Sequence, residues 1–401
     1  MSTARRVAAA PITDDRPPPP RVETQALRAL REGGPVPPVA PVIGAVPIVH
    51  DGLPHREVTF VWTPRAQSPG TVEVMVHITS VTDAHRRDIT PALMEWMPEA
   101  GCAALGCLLP EGLVASYRLV VDRHIPRDAG RDRAGWKRIH ELGAIDPRNL
   151  EQLPNPLGER SSVLRMPGSR RHPAELHDSG PVRDAGVRPL PIDTPWVPQM
   201  SAVVPAGRAR GILVLFDAEH WEKLAIADLL ARHPRGDLVT LLVPSGSTQN
   251  RAEFLPHPER AIQVATAALD AAHAARIVPD ELDAGDVVVA GQSFGGLAAA
   301  AIVVRAPHLA RTAIVQSGSF WYGADSAAGD DRGELLRSLS GAHLSGRRFV
   351  VQYGTQERLL GSVGRAFAAA AAAGGADVTS QQYGGGHDYA WWRTGLLDAL
   401  D

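Results

Sequence analysis

Three short segments in the C-terminal half hold the residue types that acyl transfer needs: a serine, a histidine and an acid. Ser293 stands in the run Gly291-Gln292-Ser293-Phe294-Gly295-Gly296, which contains G-x-S-x-G. An apolar run precedes it and helical sequence follows. That context predicts a tight strand–turn–helix that projects the serine above a sheet edge. Small residues at 291 and 295 let neighbouring backbone approach. The N–H of Phe294, at the helix start, would point at the oxyanion of an acyl-transfer intermediate. A glycine-rich strand-to-helix turn without chemistry is the alternative reading. His387, in GGGHD at 384–388, is the candidate base. Its three preceding glycines should free the loop to present the imidazole, although a loop histidine capping the last helix would look the same. His308 and His343 lie in polar stretches typical of solvated loops.

Glu357, in GTQE at 354–357, is the candidate acid, because it follows an apolar run and precedes His387 in the chain. Its task would be to orient the imidazole and stabilise the imidazolium. Asp325, Asp330 and Asp331 are alternatives, as is a Ser–His dyad without an acid, and Asp388 reads as a helix cap. A second oxyanion donor is expected in the loop FDAEHW at 216–221, from the backbone of Ala218, Glu219 or His220. Aromatic residues gather at the expected strand-end loops: Trp221, Phe294, Phe320, Trp321, Tyr322, Tyr389, Trp391 and Trp392. Core packing explains part of that set. The remainder, with Arg251, would form a rim suited to a bulky aromatic or anionic ester.

The elements that must position these residues show in the apolar pattern. Continuous apolar runs at 211–217, 238–244, 286–292, 312–318, 347–354 and 378–383 alternate with helical spacing at 221–233, 258–275, 294–306, 361–373 and 389–400. Runs apolar on both faces, separated by helices, predict a mostly parallel sheet covered on both sides. The fold class is therefore α/β, with an α/β-hydrolase catalytic domain at 196–401. Upstream, 58–62, 71–78 and 113–121 alternate apolar and polar residues between turn-formers and predict a small β-sandwich at 41–125. Residues 126–195, rich in Arg, Pro and Gly, read as a loop-rich linker. Residues 1–40, with RPPPPR at 16–21, read as a mobile tail.

Composition narrows the classes. Lys and Arg number 41 against 44 Asp and Glu, a net charge of −3, which disfavours a nucleic-acid binder. No apolar run approaches the roughly 18 residues of a membrane span. No clear signal peptide precedes the chain, so a cytoplasmic location is expected. Cys102 and Cys107 cannot form a disulfide framework and have no obvious partner ligands for zinc. They read as two half-buried thiols, and no metal site is expected. The sequence leaves the oligomeric state open.

Together, VAGQSFGGL (289–297), VQSGSFWY (315–322), GGHDYAWW (385–392) and LFDAEHW (215–221) resemble the enterochelin (ferric enterobactin) esterase family. The similarity extends upstream to ITSVTD (78–83) and DPRN (146–149), so it spans roughly residues 50–401. The resemblance implies hydrolysis of the ester bonds of a catecholate siderophore trilactone, releasing iron. It implies Ser293 as nucleophile, His387 as base, Glu357 at the acid position, and Arg251 and Trp321 at the substrate. No cofactor is implied; iron enters only with the small-molecule substrate. The chain departs from the family pattern at Ala218, where glycine is frequent, and at His220, where an aromatic is usual. Two other functions fit the residues: a general or aryl carboxylesterase of the same fold, and a non-catalytic siderophore-binding protein. An intact Ser–His pair argues against the second, since binding alone needs neither.

Overall fold

The computed structural model describes residues 17–64, 72–155, 159–176, 186–325 and 330–401. The chain forms two compact units. One holds the described residues up to Arg170 together with Gly384–Trp391; the other holds Arg171–Tyr383 with Trp392–Asp401.

The first unit is built from α1 (Gln25–Arg31), β1 (Val42–Ile43), β2 (Ile48–His50), β3 (Leu53–Trp62), β4 (Glu73–Ile78), β5 (Glu95–Met97), β6 (Cys102–Pro110), β7 (Val114–Asp122), α2 (Arg133–Leu142), β8 (Gly143–Ala144), β9 (Gln152–Pro154) and β10 (Arg160–Arg165). Two antiparallel sheets result, ordered β1-β3-β6-β5 with β2 on β3, and β4-β7-β10-β9 with β8 on β7. The two-residue period of a strand sorts their side chains. Leu105, Cys107 and Leu109 of β6 join Val58 and Phe60 of β3 and Ala115, Tyr117 and Leu119 of β7 in one core. Cys102 and Ala104, of opposite parity on β6, pack with Val61 under Leu27 and Leu30 of α1. Val120 of β7 packs on Trp136 and Ile139 of α2. The expected sandwich is present, and both cysteines are fully buried rather than half-buried.

Two boundaries move. Positions 1–16 of the expected tail lie outside the described residues. From Pro20 onward the chain is bound: Val22 N–H donates to Gly106 O at 3.1 Å and Leu108 N–H to Pro20 O at 2.9 Å. Thr24 then caps α1 by accepting from Leu27 N–H. The stretch 126–195 is not a linker. It supplies α2 and β8–β10 to the first unit and the first strand of the sheet described next. Its DPRN segment is a turn anchored at its two buried ends, with Tyr117 Oη donating to Asp146 at 2.9 Å and Asn149 Nδ2 donating to Val163 O at 2.8 Å. Turn-forming composition concealed these strands, none of which is a continuous apolar run.

The second unit comprises β11 (Gly186–Pro191), β12 (Gln199–Val204), β13 (Gly211–Phe216), α3 (Ala218–Lys223), α4 (Ile226–Arg232), β14 (Leu238–Val243), α5 (Thr248–Phe254), α6 (Pro258–Ala274), β15 (Val287–Gln292), α7 (Phe294–Arg305), β16 (Thr312–Gln316), α8 (Glu334–Ser338), β17 (Arg348–Gly354), α9 (Arg358–Ala373), β18 (Asp377–Tyr383) and, from Trp392 onward, α10 (Tyr389–Leu400). Its sheet runs β11-β12-β14-β13-β15-β16-β17-β18. β11, β12 and β14 pair antiparallel, and the remaining pairs are parallel. β13 and β14 are buried at every residue, as strands covered on both faces must be. The helix expected at 221–233 is two helices, broken at Ala225, whose φ is 53°. Parallel strands deliver their C-terminal ends to one edge. The loops at 217–219, 293, 317–319 and 355–357 all leave that edge. Among the described residues no helix is long and apolar enough to cross a membrane.

Candidate active site

Ser293 sits between β15 and α7 at φ 57° and ψ −118°, a strained conformation for a residue with a side chain. Hydrogen bonds on both sides hold it there. Its N–H donates to Gln316 O at 2.9 Å, and Ser319 N–H donates to its carbonyl at 3.0 Å. A Cβ at Gly291 would stand 2.5 Å from the Gly295 carbonyl carbon, so the turn closes only with glycine there. Ser293 Oγ lies 3.3 Å from Ser319 Oγ. Phe294 opens α7, so its N–H is among those with no acceptor inside the helix. Ala218 and Glu219 open α3 in the same way, after Asp217 in a left-handed conformation. The His220 N–H is already directed to Asp217 O at 3.0 Å, which removes it from the expected donors.

Glu357 is 7% exposed. Its carboxylate accepts from Ser317 Oγ at 2.6 Å and from Gly354 N–H at 2.8 Å, so its position is fixed from two sides. Trp392 Nε1 donates to Ser317 Oγ at 2.9 Å and extends that support. Asp330, by contrast, is occupied by Arg332 on an exposed turn, and Asp325 and Asp331 are exposed. Of the four candidate acids, Glu357 is the buried one.

His387 lies four residues past Tyr383, the end of β18, in the loop entering α10. That loop groups with the first unit, whose side chains and backbone hold it by hydrogen bonds. The His387 N–H donates to Ser80 Oγ at 2.8 Å. Asp388 caps α10 through Ala390 N–H at 2.9 Å, as expected, and also accepts from Ser116.

Several expected rim residues are structural instead. Trp221 is fully buried and donates from Nε1 to Gln292 Oε1 at 3.2 Å. Trp391 is buried and donates to Gly386 O at 2.5 Å. Trp392 is buried with its Nε1 on Ser317. Arg251 is turned inward: its Nε and Nη2 bind Asp217 at 2.7 and 2.8 Å, and its guanidinium lies 5.4 Å over the Phe294 ring. Burial would raise the Asp217 carboxyl, but the Arg251 charge and hydrogen bonds outweigh it and hold the group below its ordinary value. Trp321 differs from these three indoles. It is half-buried and meets Phe294 at 6.0 Å, beside Tyr322 at 5.6 Å from the same ring.

The sequence reading missed a polar layer beneath this edge. Gln292, Gln316 and Gln352 end or nearly end β15, β16 and β17, and all are buried. Gln316 Nε2 donates to Gln352 Oε1 at 2.9 Å, and Gln352 Nε2 to Gly395 O at 2.7 Å. Gln292 Nε2 donates to Asp217 at 2.9 Å. A glutamine recurring at or near the end of three of the apolar runs was the available signal. Elsewhere in this unit, His172, His233 and Asp401 come within 4.8 Å of one another. In each ring Nδ1 accepts a backbone N–H, from Ala174 and from Arg235. The protons therefore sit on the Nε2 atoms that face Asp401, an arrangement that suits hydrogen bonding and leaves no ring lone pair for a metal.

The sequence model described as "Enterochelin esterase, N-terminal" matches residues 57–175, and that described as "Putative esterase" matches residues 270–401. The iron(III) enterobactin esterase of Escherichia coli is 27% identical over 86% of this chain and 90% of that protein. An iron(III) salmochelin esterase of Escherichia coli is 25% identical over 91% and 90%. The crystal structure of the Shigella flexneri enterobactin esterase with 2,3-dihydroxy-N-benzoyl-glycine is 25% identical, covers 86% of this chain and 92% of its own, and superposes with a TM-score of 0.70. The ferric enterobactin esterase of Salmonella typhimurium, 23% identical over 88% and 95%, shares the fold at a TM-score of 0.74. Along most of its length, then, the chain is similar to enterobactin esterases, in its N-terminal and its C-terminal part alike.

Proposed function

We propose that this protein hydrolyses the ester bonds of a catecholate siderophore trilactone of the enterobactin type, through an acyl-serine intermediate. The nucleophile is Ser293, the general base His387, and the acid Glu357. Ser293 Oγ attacks the ester carbonyl as His387 takes its proton. The oxyanion accepts hydrogen bonds from the N–H of Phe294 and of Ala218 or Glu219. Collapse breaks the ester C–O bond, and His387 returns the proton to the leaving hydroxyl. Water, deprotonated by His387, then frees the acid.

The observation that carries this reading is the strained Ser293 turn between β15 and α7. The chain order of Ser293, Glu357 and His387 supports the roles. The substrate class rests on the relatives' names, and the half-buried Trp321, Phe294 and Tyr322 rings suit catechol stacking. Iron is part of the substrate, the chemistry needs no other group, and the reaction is assigned to the cytoplasm.

Mass spectrometry of products from ferric and iron-free enterobactin, with wild type and Ser293→Ala in parallel, tests this. Linear trimer, dimer or monomer from wild type alone is the expected result. Absence of these products, with simple aryl esters still cleaved, would move the substrate to general aryl esters.

A further inference from the structure

The loop that carries His387 is fastened to the β-sandwich. β4 ends at Ile78, opposite Tyr117 of β7. The N–H groups of Val114 and Ser116, farther along that side of β7, would be taken by a longer β4. They go instead to residues of the loop: Val114 N–H donates to Gly384 O at 2.8 Å, and Ser116 N–H to Asp388 Oδ2 at 2.5 Å. Ser116 Oγ donates to the other Asp388 oxygen at 2.9 Å. On the far side of the loop's histidine, Ser80 Oγ accepts the His387 N–H.

Ser80 is itself rigidly set. Its φ is 62°, and its N–H donates to Asp83 Oδ2 at 3.0 Å. The other Asp83 oxygen lies 2.6 Å from Nε2 of the buried His77, whose ring meets Trp136 and His140 edge-on. The acceptor for His387 thus stands at the end of a chain of contacts that begins in the sandwich core.

We infer that Ser80 and Ser116, the latter through Asp388, are positioning residues for the base, set within the same unit as the loop that carries it. This rests on the reading of His387 as the base. A base must be held within a fraction of an ångström to transfer its proton efficiently, and a triglycine loop cannot hold itself. The sandwich supplies the anchors that the glycines lack.

The test uses the full chain with Ser80→Ala, Ser116→Ala, Ser116→Thr and His387→Ala, assayed on p-nitrophenyl acetate well below each variant's melting temperature. The rate of irreversible Ser293 labelling by a fluorophosphonate is measured in parallel. Ser80→Ala and Ser116→Ala should each lower kcat by about 5- to 50-fold with KM within about twofold. Labelling should slow in step, and Ser116→Thr, which keeps the hydroxyl, should recover most of the loss. Wild-type kcat and labelling in both alanine variants, alongside an inactive His387→Ala, would overturn the inference, even if their melting temperatures fell. Retained activity in His387→Ala would instead overturn the assignment of the base.

Discussion

Arg251 was expected to touch substrate, and the structure gives it a different task that a single substitution can measure. Asp217 is fully buried, while the Arg251 side chain is 23% exposed. Besides Arg251, the carboxylate has Ser245 Oγ at 2.5 Å and Gln292 Nε2 at 2.9 Å, both neutral donors. Arg251→Met would leave a buried charge with those two partners alone. Breaking one side of such a pair costs about 3–5 kcal/mol. At about 2–4 °C per kcal/mol for a unit of roughly 150–250 residues, the melting temperature should fall by about 6–20 °C. Asp217→Asn/Arg251→Met removes both charges and should recover more than half of that loss.

The pH dependence separates charge from packing. In the wild type the Asp217 carboxyl lies below its ordinary 3.8, so its stabilisation is present above that pH and is lost as pH falls through the lowered value. In Arg251→Met, burial without the cation would push the carboxyl above 3.8. The variant's deficit is then greatest at neutral pH and shrinks as acid protonates Asp217. Thermal melts by circular dichroism from pH 7 down to about pH 4.5 should show the gap to wild type narrowing. A gap that stays constant over that range would refute the argument and assign the loss to the contact with the Phe294 ring.

Glu357→Gln keeps the shape of the side chain but not its charge, and should lower kcat on aryl esters by about 10²- to 10⁴-fold with little change in melting temperature. Asp330→Asn should leave kcat unchanged; the opposite ranking in the same assay would move the acid to the 325–331 turn. Cys102 and Cys107 are buried, and burial pushes the Cys107 thiol up to about 12. Neither should react with iodoacetamide in the native protein, and both should label after unfolding, as read by intact mass.

The reading of the second unit from sequence held where the signal is local. A strand buried on both faces has to be apolar throughout, and so β13–β17 are visible as runs, with bounds within a residue or two. The Ser293 turn is also local, because five consecutive residues must combine a strained serine with a glycine at 291, where a Cβ would strike the backbone of Gly295. Strands β11 and β12 escaped because an antiparallel edge of mixed polarity carries no continuous run.

Side-chain partners across the fold were not legible. Trp221, Trp391 and Trp392 look alike in the sequence as large rings at strand ends, and only packing shows each indole turned inward onto a buried acceptor. Arg251 reads as a rim cation until Asp217, 34 positions away, is seen beneath it. Ser80 and His387 are 307 positions apart, and neither has a neighbour that announces the other. Periodicity records which face of an element is buried, and the residue types record what chemistry is available. What lies across each buried face is fixed by the closing of the tertiary structure, because hydrogen-bond partners are selected by position in space and not by distance along the chain.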